Sequence, residues 1–236
     1  MIVKNEDYRE YLREGHIKYD IVITDPPYLY EKGGNSKMLG KGEALLRERR
    51  TMQNSEFGKE EIYEFLNLTE QHMEKPQWFI FCSEKQLPFY LAWATERKYQ
   101  FNILVWCKPL SVLNKNRFST NCEYICRIYN WGSPLNRMDE TKNLYYSKWK
   151  VYPLVSKKEK IHPQQKPIGL IKELIEIATA PKDVVFDPFA GSGTILKAAI
   201  ELGRMAIGTE KDACRYADMK DRLEQIQITI EEKGWT

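Results

Sequence analysis

The stretch that decides the fold is Val184-Val-Phe186 followed by Asp187-Pro-Phe-Ala-Gly-Ser-Gly-Thr194. The first three residues are bulky and apolar, as in a buried strand, and a helical pattern of apolar residues runs from Thr194 to Leu202. Glycines at a strand-to-helix turn let a ligand approach the backbone closely, and the start of the helix presents free N–H groups. The stretch therefore predicts a strand, a ligand-binding turn and a helix.

Strand and helix patterns alternate on both sides of this stretch. The predicted strands cover residues 20–24, 78–82, 101–107, 124–129, 184–186 and 205–208. The predicted helices cover residues 59–74, 84–98, 167–180, 194–202 and 212–232. This alternation is typical of an α/β fold with a doubly wound, mostly parallel sheet, and 236 residues suit one such domain.

An acidic residue, Glu210, follows the strand after the glycine turn. A carboxylate at this place can accept hydrogen bonds from two ribose hydroxyls, so the pair of features indicates a nucleoside site. A tight turn without a ligand is the alternative. A nicotinamide site fits less well because the third glycine of its fingerprint is missing, and a P-loop fails because Gly42 stands where Ser or Thr is required.

Composition bounds the class of protein. Hydrophobic residues make up 42% and charged residues 29% of the chain, and no apolar run is long enough to cross a membrane. We expect a cytoplasmic protein, since the N-terminus lacks an apolar signal segment. Five scattered cysteines argue against a disulfide framework. Cys122 and Cys126 lack a second pair of ligands, so no metal site is predicted.

A second motif, Asp25-Pro-Pro-Tyr28, ends the first predicted strand. Prolines cannot continue a hydrogen-bonded ladder, so the chain must turn out at the carboxyl edge of the sheet, where ligands bind in open α/β folds. Asp25 and the Pro26 carbonyl can accept hydrogen bonds from the two N–H groups of an exocyclic amine, while Tyr28 can stack on the ring of a flipped base. A proline turn with a capping aspartate is the alternative.

Charge is unevenly distributed along the chain. The net charge is +3, yet residues 108–160 hold eleven Lys or Arg against four acids. A basic block inside an otherwise slightly acidic chain indicates a polyanionic partner.

Four motifs together resemble those of S-adenosylmethionine-dependent DNA amino-methyltransferases. They are Asp25-Pro-Pro-Tyr28, Trp106-Cys-Lys108, His162-Pro-Gln-Gln-Lys-Pro167 and the glycine stretch. Their order is similar to that of the circularly permuted β group. The resemblance implies a seven-stranded Rossmann-like sheet with one antiparallel strand, around residues 122–130. It also implies one methyltransferase domain over residues 1–236, with an inserted target-recognition region at 109–160.

The resemblance further implies a set of site residues. The catalytic residues would be Asp25, Pro26, Pro27 and Tyr28. The S-adenosylmethionine site would comprise Asp25, His162, Gln164, Gln165, Lys166, Pro167, Asp187, Phe189, Ala190, Gly191, Ser192, Gly193, Thr194 and Glu210, with Lys166 fixing Asp187 or the carboxylate of the cofactor. The contacts to double-stranded DNA would be Lys37, Lys41, Lys108, Lys115, Arg117, Lys148 and Lys150.

Within this family, Asp at the first motif position favours adenine N6 as the target, whereas Ser is commoner for cytosine N4. DNA cytosine-N4 methylation, RNA adenine-N6 methylation and an inactive nucleic-acid-binding subunit are the alternatives. Protein glutamine methyltransferases fit less well, because they begin the motif with Asn and place it after the glycine element. The recognition sequence, a restriction partner and a homodimer are left open.

Overall fold

The structure is a computed structural model, which describes part of the chain in detail. It covers residues 1–15, 17–28, 57–108, 121–133, 135–136, 146–156 and 165–232, with side chains up to residue 226. Six predicted site residues lie outside these ranges: Lys37, Lys41, Lys115, Arg117, His162 and Gln164. Within these ranges no helix is both long and apolar enough to cross a membrane.

Eight strands form one sheet in the described part of the chain. They are β1 (Ile2–Lys4), β2 (Ile21–Thr24), β3 (Gln77–Cys82), β4 (Gln100–Cys107), β5 (Cys122–Tyr129), β6 (Trp149–Val151), β7 (Val184–Asp187) and β8 (Met205–Thr209). Their order across the sheet is β1-β8-β7-β2-β3-β5-β4-β6. The expected number was seven. That number came from the resemblance, whereas the hydrophobic pattern predicted six strands. The two strands that the pattern missed lie at the two edges of the sheet, and each has three residues, which is too short for a period-2 pattern to be recognised.

One strand, β5, runs antiparallel to both of its neighbours, β3 and β4. Every other pairing in the sheet is parallel. The expectation of a single antiparallel strand around residues 122–130 is therefore confirmed. Because β5 runs the opposite way, its first residues lie at the edge where β3 and β4 end.

Helices cover both faces of the sheet, as expected for a doubly wound fold. The described helices are α1 (Tyr8–Arg13), α2 (Lys59–Glu70), α3 (Leu87–Glu96), α4 (Ile168–Ala178), α5 (Thr194–Glu201) and α6 (Ala213–Glu232). Side chains of α1, α2 and α3 pack with Val22 and Trp78 in one hydrophobic cluster. Side chains of α4, α5 and α6 pack with Ile21 and Phe79 in a second cluster on the opposite face.

The central strand β2 brings the two sequence motifs together. It is buried along its whole length and pairs in parallel with β3 on one side and with β7 on the other. Since parallel strands end at the same edge, the Asp25 turn after β2 lies beside the Asp187 turn after β7. Chain order reverses between these neighbours, and ligands bind at such switch points in open α/β sheets.

The segment predicted as an inserted recognition region, 109–160, contributes directly to the sheet. It contains β5, which lies between β3 and β4, and the edge strand β6. The predicted insertion is therefore interrupted by two strands of the main domain. Much of the rest of this segment lies outside the described residues.

Candidate active site

The turn after β2 is held in place by a buried side chain that the motif analysis missed. The Gln86 amide donates hydrogen bonds to the carbonyls of Pro27 (2.9 Å) and Phe57 (3.0 Å). Its oxygen accepts from the hydroxyl of Ser83 at 3.0 Å. Because Pro26 and Pro27 have no N–H to donate, these carbonyl contacts fix the turn where a ladder cannot.

The Asp25 carboxylate has one oxygen occupied and one free. Its Oδ2 lies 2.6 Å from Lys166 Nζ. Its Oδ1 is buried and accepts no hydrogen bond from any residue that the structure describes. Burial raises the pKa of Asp25, an effect that Lys166 opposes. A buried acceptor without a hydrogen-bond partner lowers the stability of the folded protein. This oxygen is therefore available to accept a hydrogen bond from a ligand.

Lys166 belongs to the Asp25 turn and not to the glycine turn. Besides Asp25, it contacts Glu123 Oε2 at 3.1 Å, and its ammonium lies 5.3 Å from the centre of the Tyr28 ring. Burial alone would lower the pKa of Lys166, but Asp25 and Glu123 outweigh it and raise the pKa. The expectation that Lys166 fixes Asp187 is thus corrected, because its ammonium is already shared between the carboxylates of Asp25 and Glu123.

The Tyr28 hydroxyl donates to Glu123 Oε2 at 3.0 Å. Burial, followed by the charges of Asp25 and Glu123, raises the pKa of Tyr28 well above its ordinary value. The hydroxyl therefore stays protonated and remains a donor. This hydrogen bond restrains the Tyr28 side chain at the edge of the sheet, where its hydroxyl also interacts with the carboxylate of Asp25.

The glycine turn joins strand β7 to helix α5, as the sequence predicted. Gly191 and Gly193 have φ angles of 50° and 72°, in the left-handed region that favours glycine. A Cβ at Gly193 would lie 2.7 Å from Met219 Cγ, so the turn also needs the space. The hydroxyls of Ser192 and Thr194 are 3.0 Å apart where α5 begins.

Asp187 is buried at the end of β7. Its Oδ1 accepts hydrogen bonds from the Thr24 hydroxyl (2.7 Å) and from the Phe189 N–H (3.2 Å). Burial raises the pKa of Asp187 to about 7, although both hydrogen bonds oppose the shift. The carboxylate can therefore change its charge near neutral pH.

Glu210 lies at the end of β8, next to the glycine turn. Its two oxygens accept the backbone N–H groups of Gly191 and Asp212, each at 2.9 Å. The predicted ribose ligand thus also ties the glycine turn to the segment before α6. A carboxylate has about four lone-pair positions, so capacity remains for hydroxyl donors.

The remaining predicted residues of the glycine motif contact the protein interior. The Phe189 ring packs against Tyr8 and Phe57, at centroid distances of 5.0 and 5.3 Å. Ala190 is buried, and its N–H donates to the Thr209 carbonyl.

Two further predicted residues belong to the His162–Pro167 motif. Pro167 is buried at the start of α4, and Gln165 is half-buried.

Most of the described basic residues in the 108–160 block are engaged inside the protein. Lys108 Nζ lies 2.5 Å from Glu123 Oε1. Buried Arg127 donates to the oxygen of Gln77 at 2.6 Å. Of the four basic residues of this block that the structure describes, Lys148 is the one with an exposed side chain. The net charge counted over residues 108–160 is therefore larger than the positive charge that this segment presents at the surface. The charge of Lys108, in particular, is balanced by Glu123.

Lys150 corrects the charge-pattern prediction most clearly. It is 2% exposed and forms an ion pair with Glu173 of α4, which is 3% exposed. The Tyr152 hydroxyl donates to the other oxygen of Glu173 at 2.6 Å. Lys150 is therefore part of the core and cannot reach a phosphate, because its ammonium faces the sheet–helix interface.

Sequence reasoning also missed Glu123, whose carboxylate contacts Lys108, Lys166 and Tyr28. The available signal was an acid near the start of Cys122-Glu-Tyr-Ile-Cys-Arg-Ile-Tyr129, since a charge in an apolar strand usually has a partner.

Within the described residues, no group of three or more His, Cys, Asp or Glu is arranged to hold a metal ion.

These features define an α/β protein whose two motif turns lie together at the carboxyl edge of its sheet, where open α/β folds bind ligands. A model of the DNA methylase family, N6_N4_Mtase, matches residues 19–221. The chain belongs to this family.

Relatives and solved structures agree with this assignment. Type II methyltransferase M.HindIII of Haemophilus influenzae is 46% identical over 70 residues, which is 30% of this chain and 23% of that protein. The chain therefore spans about a quarter of this relative's length. The crystal structure of the M1.HpyAVI–SAM complex matches this chain with a TM-score of 0.68 at 23% identity. The matched region covers 94% of this chain and 98% of the M1.HpyAVI chain. PvuII DNA methyltransferase, described as cytosine-N4-specific, has a TM-score of 0.70 at 16% identity, covering 95% and 89%. At such identities the two structures show the fold alone.

Proposed function

We propose that this protein transfers a methyl group from S-adenosylmethionine to N6 of adenine in double-stranded DNA. The observation that carries the proposal is the buried, unoccupied Oδ1 of Asp25 beside Tyr28, at the switch point of a DNA methylase fold. The family's preference for Asp at this position in adenine enzymes supports N6 over cytosine N4.

The Asp25 turn would act on the target amine. Asp25 Oδ1 and the Pro26 carbonyl accept hydrogen bonds from its two N–H groups, while Tyr28 stacks on the flipped base. Hydrogen bonds that strengthen as the nitrogen loses conjugation with the ring favour a nucleophilic amine, and they are worth most in a water-poor site. The rest of the rate enhancement comes from holding nitrogen and methyl carbon in line.

The residues around the glycine turn fit the cofactor. S-adenosylmethionine supplies an electrophilic methyl group on a sulfonium, and it also carries an ammonium group and a ribose. The structure offers two buried carboxylates, Asp187 and Glu210, at the ends of neighbouring strands, with a turn between them that is open to backbone approach. Asp187 would hold the methionine end and Glu210 the ribose.

The product of the reaction tests the proposal directly. The protein is incubated with labelled S-adenosylmethionine and with duplex DNA, single-stranded DNA or RNA, and the nucleic acid is digested to nucleosides. We expect label in N6-methyladenine from duplex DNA. Label in N4-methylcytosine, or label only in RNA, would replace the proposal by that alternative. Cofactor binding without any transfer would indicate an inactive binding subunit.

Replacing Glu210 by alanine is expected to weaken S-adenosylmethionine binding by about 1–3 kcal/mol, the range for losing charge-assisted hydrogen bonds. Isothermal calorimetry measures the change. Glu201→Ala is the matched control. Glu201 lies on α5, the helix after the turn, and forms surface ion pairs with Lys172 of α4 and Lys197 of α5. Unchanged affinity in a folded Glu210→Ala protein would exclude Glu210 as a cofactor ligand.

The affinity for S-adenosylmethionine is expected to rise with pH around neutrality. Burial raises the pKa of Asp187 to about 7, so this carboxyl is mainly protonated below that pH and mainly ionised above it. The ionised form attracts the ammonium group at the methionine end of the cofactor, and the neutral form does so much less. Calorimetry between pH 6 and 8 measures the slope, which Asp187→Asn should abolish. The same slope in that variant would assign the titration to another group.

Lys148 is the described residue of the basic block that remains available for phosphate. We expect Lys148→Ala to reduce the slope of log affinity against log salt by about 0.9, the value for one lost phosphate contact. Filter binding or anisotropy with duplex DNA measures the slope. The control is Lys18→Ala, because exposed Lys18 precedes β2 and so lies at the opposite edge of the sheet. Equal slopes for both variants would place DNA elsewhere.

A further inference from the structure

Three donors converge on the carboxylate of Glu123. Lys108 Nζ lies 2.5 Å from Oε1, while Lys166 Nζ and the Tyr28 hydroxyl lie 3.1 and 3.0 Å from Oε2. The Glu123 side chain is 18% exposed. With Asp25 the cluster contains two carboxylates and two ammonium groups, so its formal charge is zero. Glu123 is the member that contacts all three donors.

The reversed strand explains how Glu123 reaches this place. A residue near the start of a parallel strand would lie at the far edge of the sheet. Because β5 is antiparallel, Glu123 is paired with Trp106, next to the carboxyl end of β4. It therefore lies at the same edge as the turn that follows β2.

We propose that Glu123 is a positioning residue for methyl transfer, which holds Lys166 and Tyr28 so that one oxygen of Asp25 is neutralised and the other stays free for the target amine. The proposal rests on the proposed function, since it concerns the same reaction. Glu123 itself touches neither substrate nor cofactor in this scheme.

The electrostatics of the cluster support this role. Burial alone would raise the pKa of Glu123, but Lys166 and Lys108 outweigh burial and lower the pKa to about 2. Glu123 therefore stays ionised over the whole working range of pH. Without the charge of Glu123, Lys166 would have Asp25 as its remaining carboxylate partner in the cluster. Lys166 would then bind Asp25 more tightly and compete with the amine, and Tyr28 would lose its charged acceptor.

Removing the charge of Glu123 should also change how Asp25 titrates. Six titratable groups interact with Asp25. Lys166, Glu123 and Tyr28 act on its pKa, and the charge of Asp25 in turn raises the pKa of Cys82, Tyr90 and Asp187. Glu123 raises the pKa of Asp25, so neutralising it lowers that pKa. The acid limb of the pH–rate profile should then move to lower pH. A role in stability alone would not move this limb.

The test compares Glu123→Gln, which keeps the shape and removes the charge, with Glu123→Asp, which keeps the charge. Glu201→Gln is the control, since it neutralises a surface glutamate of an ion pair. We measure kcat, KM for DNA, the affinity for S-adenosylmethionine and the pH dependence of kcat. For Glu123→Gln we expect kcat to fall about 10- to 100-fold, the scale of a misplaced reacting group, with cofactor affinity unchanged. Glu123→Asp should recover part of kcat and keep the wild-type acid limb.

Provided that the wild-type protein methylates DNA, two results would overturn the inference about Glu123. One is wild-type kcat in folded Glu123→Gln. The other is an equal loss in Glu123→Gln and Glu123→Asp with no shift of the acid limb, which would leave Glu123 a structural role. Should Glu123→Gln fail to fold, Tyr28→Phe replaces it, because this variant deletes one of the three donors and should lower kcat without changing cofactor affinity. Wild-type protein that methylates no nucleic acid would instead refute the proposed function, and with it the role of Glu123.

Discussion

Alanine in place of Asp25 is expected to lower the rate of methyl transfer by at least about 100-fold, the scale for removing one transition-state hydrogen-bonding group. The structure strengthens the reason for this effect. The variant deletes the buried oxygen that is left without a partner, and it also leaves Lys166 with Glu123 as its remaining carboxylate. Single-turnover kinetics with a duplex substrate measure the loss.

Cofactor affinity provides the internal control for this variant. Asp25 is one of the residues implied for the S-adenosylmethionine site, but Gly191 and Glu210 belong to the turns after β7 and β8. S-adenosylmethionine binding should therefore stay largely intact in the Asp25→Ala protein. If calorimetry shows normal S-adenosylmethionine binding in a variant that no longer transfers the methyl group, Asp25 acts in the chemical step and not in cofactor binding. Near-wild-type methylation by Asp25→Ala would refute its assignment to the target amine.

Hydrophobic periodicity was sufficient to predict the central elements of the fold. The predicted strands at 20–24 and 78–82 correspond to β2 and β3, which are buried on both faces and therefore appear as continuous apolar runs. The elements that escaped prediction are short. The helix Tyr8–Arg13 has six residues, and each edge strand has three, so each holds fewer than two full repeats of its pattern, which is too few to recognise.

The site was predictable where its residues follow one another in sequence. Asp25 to Tyr28 and Asp187 to Thr194 are local motifs, and their positions at strand ends follow from the alternation of elements. The partner of Lys166 was not predictable in this way, because it depends on which strands are neighbours. Only the placement of β5 beside β3 and β4 shows that Glu123 meets Lys166 and Lys108.

Charge counting failed at Lys150 for a physical reason. On edge strand β6 the apolar residues Trp149 and Val151 are 61% and 63% exposed, while the lysine between them is 2% exposed. The alternation of the strand is thus the reverse of the usual pattern, with the charge inside. A sum over a segment cannot detect this arrangement, because the acid that balances Lys150 lies on α4, outside the block.

Removing the ammonium of Lys150 is therefore expected to destabilise the protein. Lys150→Met fills a similar volume but leaves Glu173 as an uncompensated buried charge, which typically costs about 3–5 kcal/mol. Urea unfolding followed by circular dichroism measures the loss. The surface pair Arg97–Glu70 supplies the control, since its arginine is 45% exposed and Arg97→Met should cost no more than about 1 kcal/mol.

A second substitution separates the buried charge from lost packing. Glu173→Gln removes the charge and keeps an oxygen for the hydroxyl of Tyr152. In the Lys150→Met background it should restore most of the lost stability, because exchanging a whole buried pair for neutral groups is often neutral. The double variant should also bind duplex DNA with the wild-type salt dependence. Wild-type stability of Lys150→Met together with a shallower salt slope would contradict the buried pair, and it would return Lys150 to the surface that contacts phosphate.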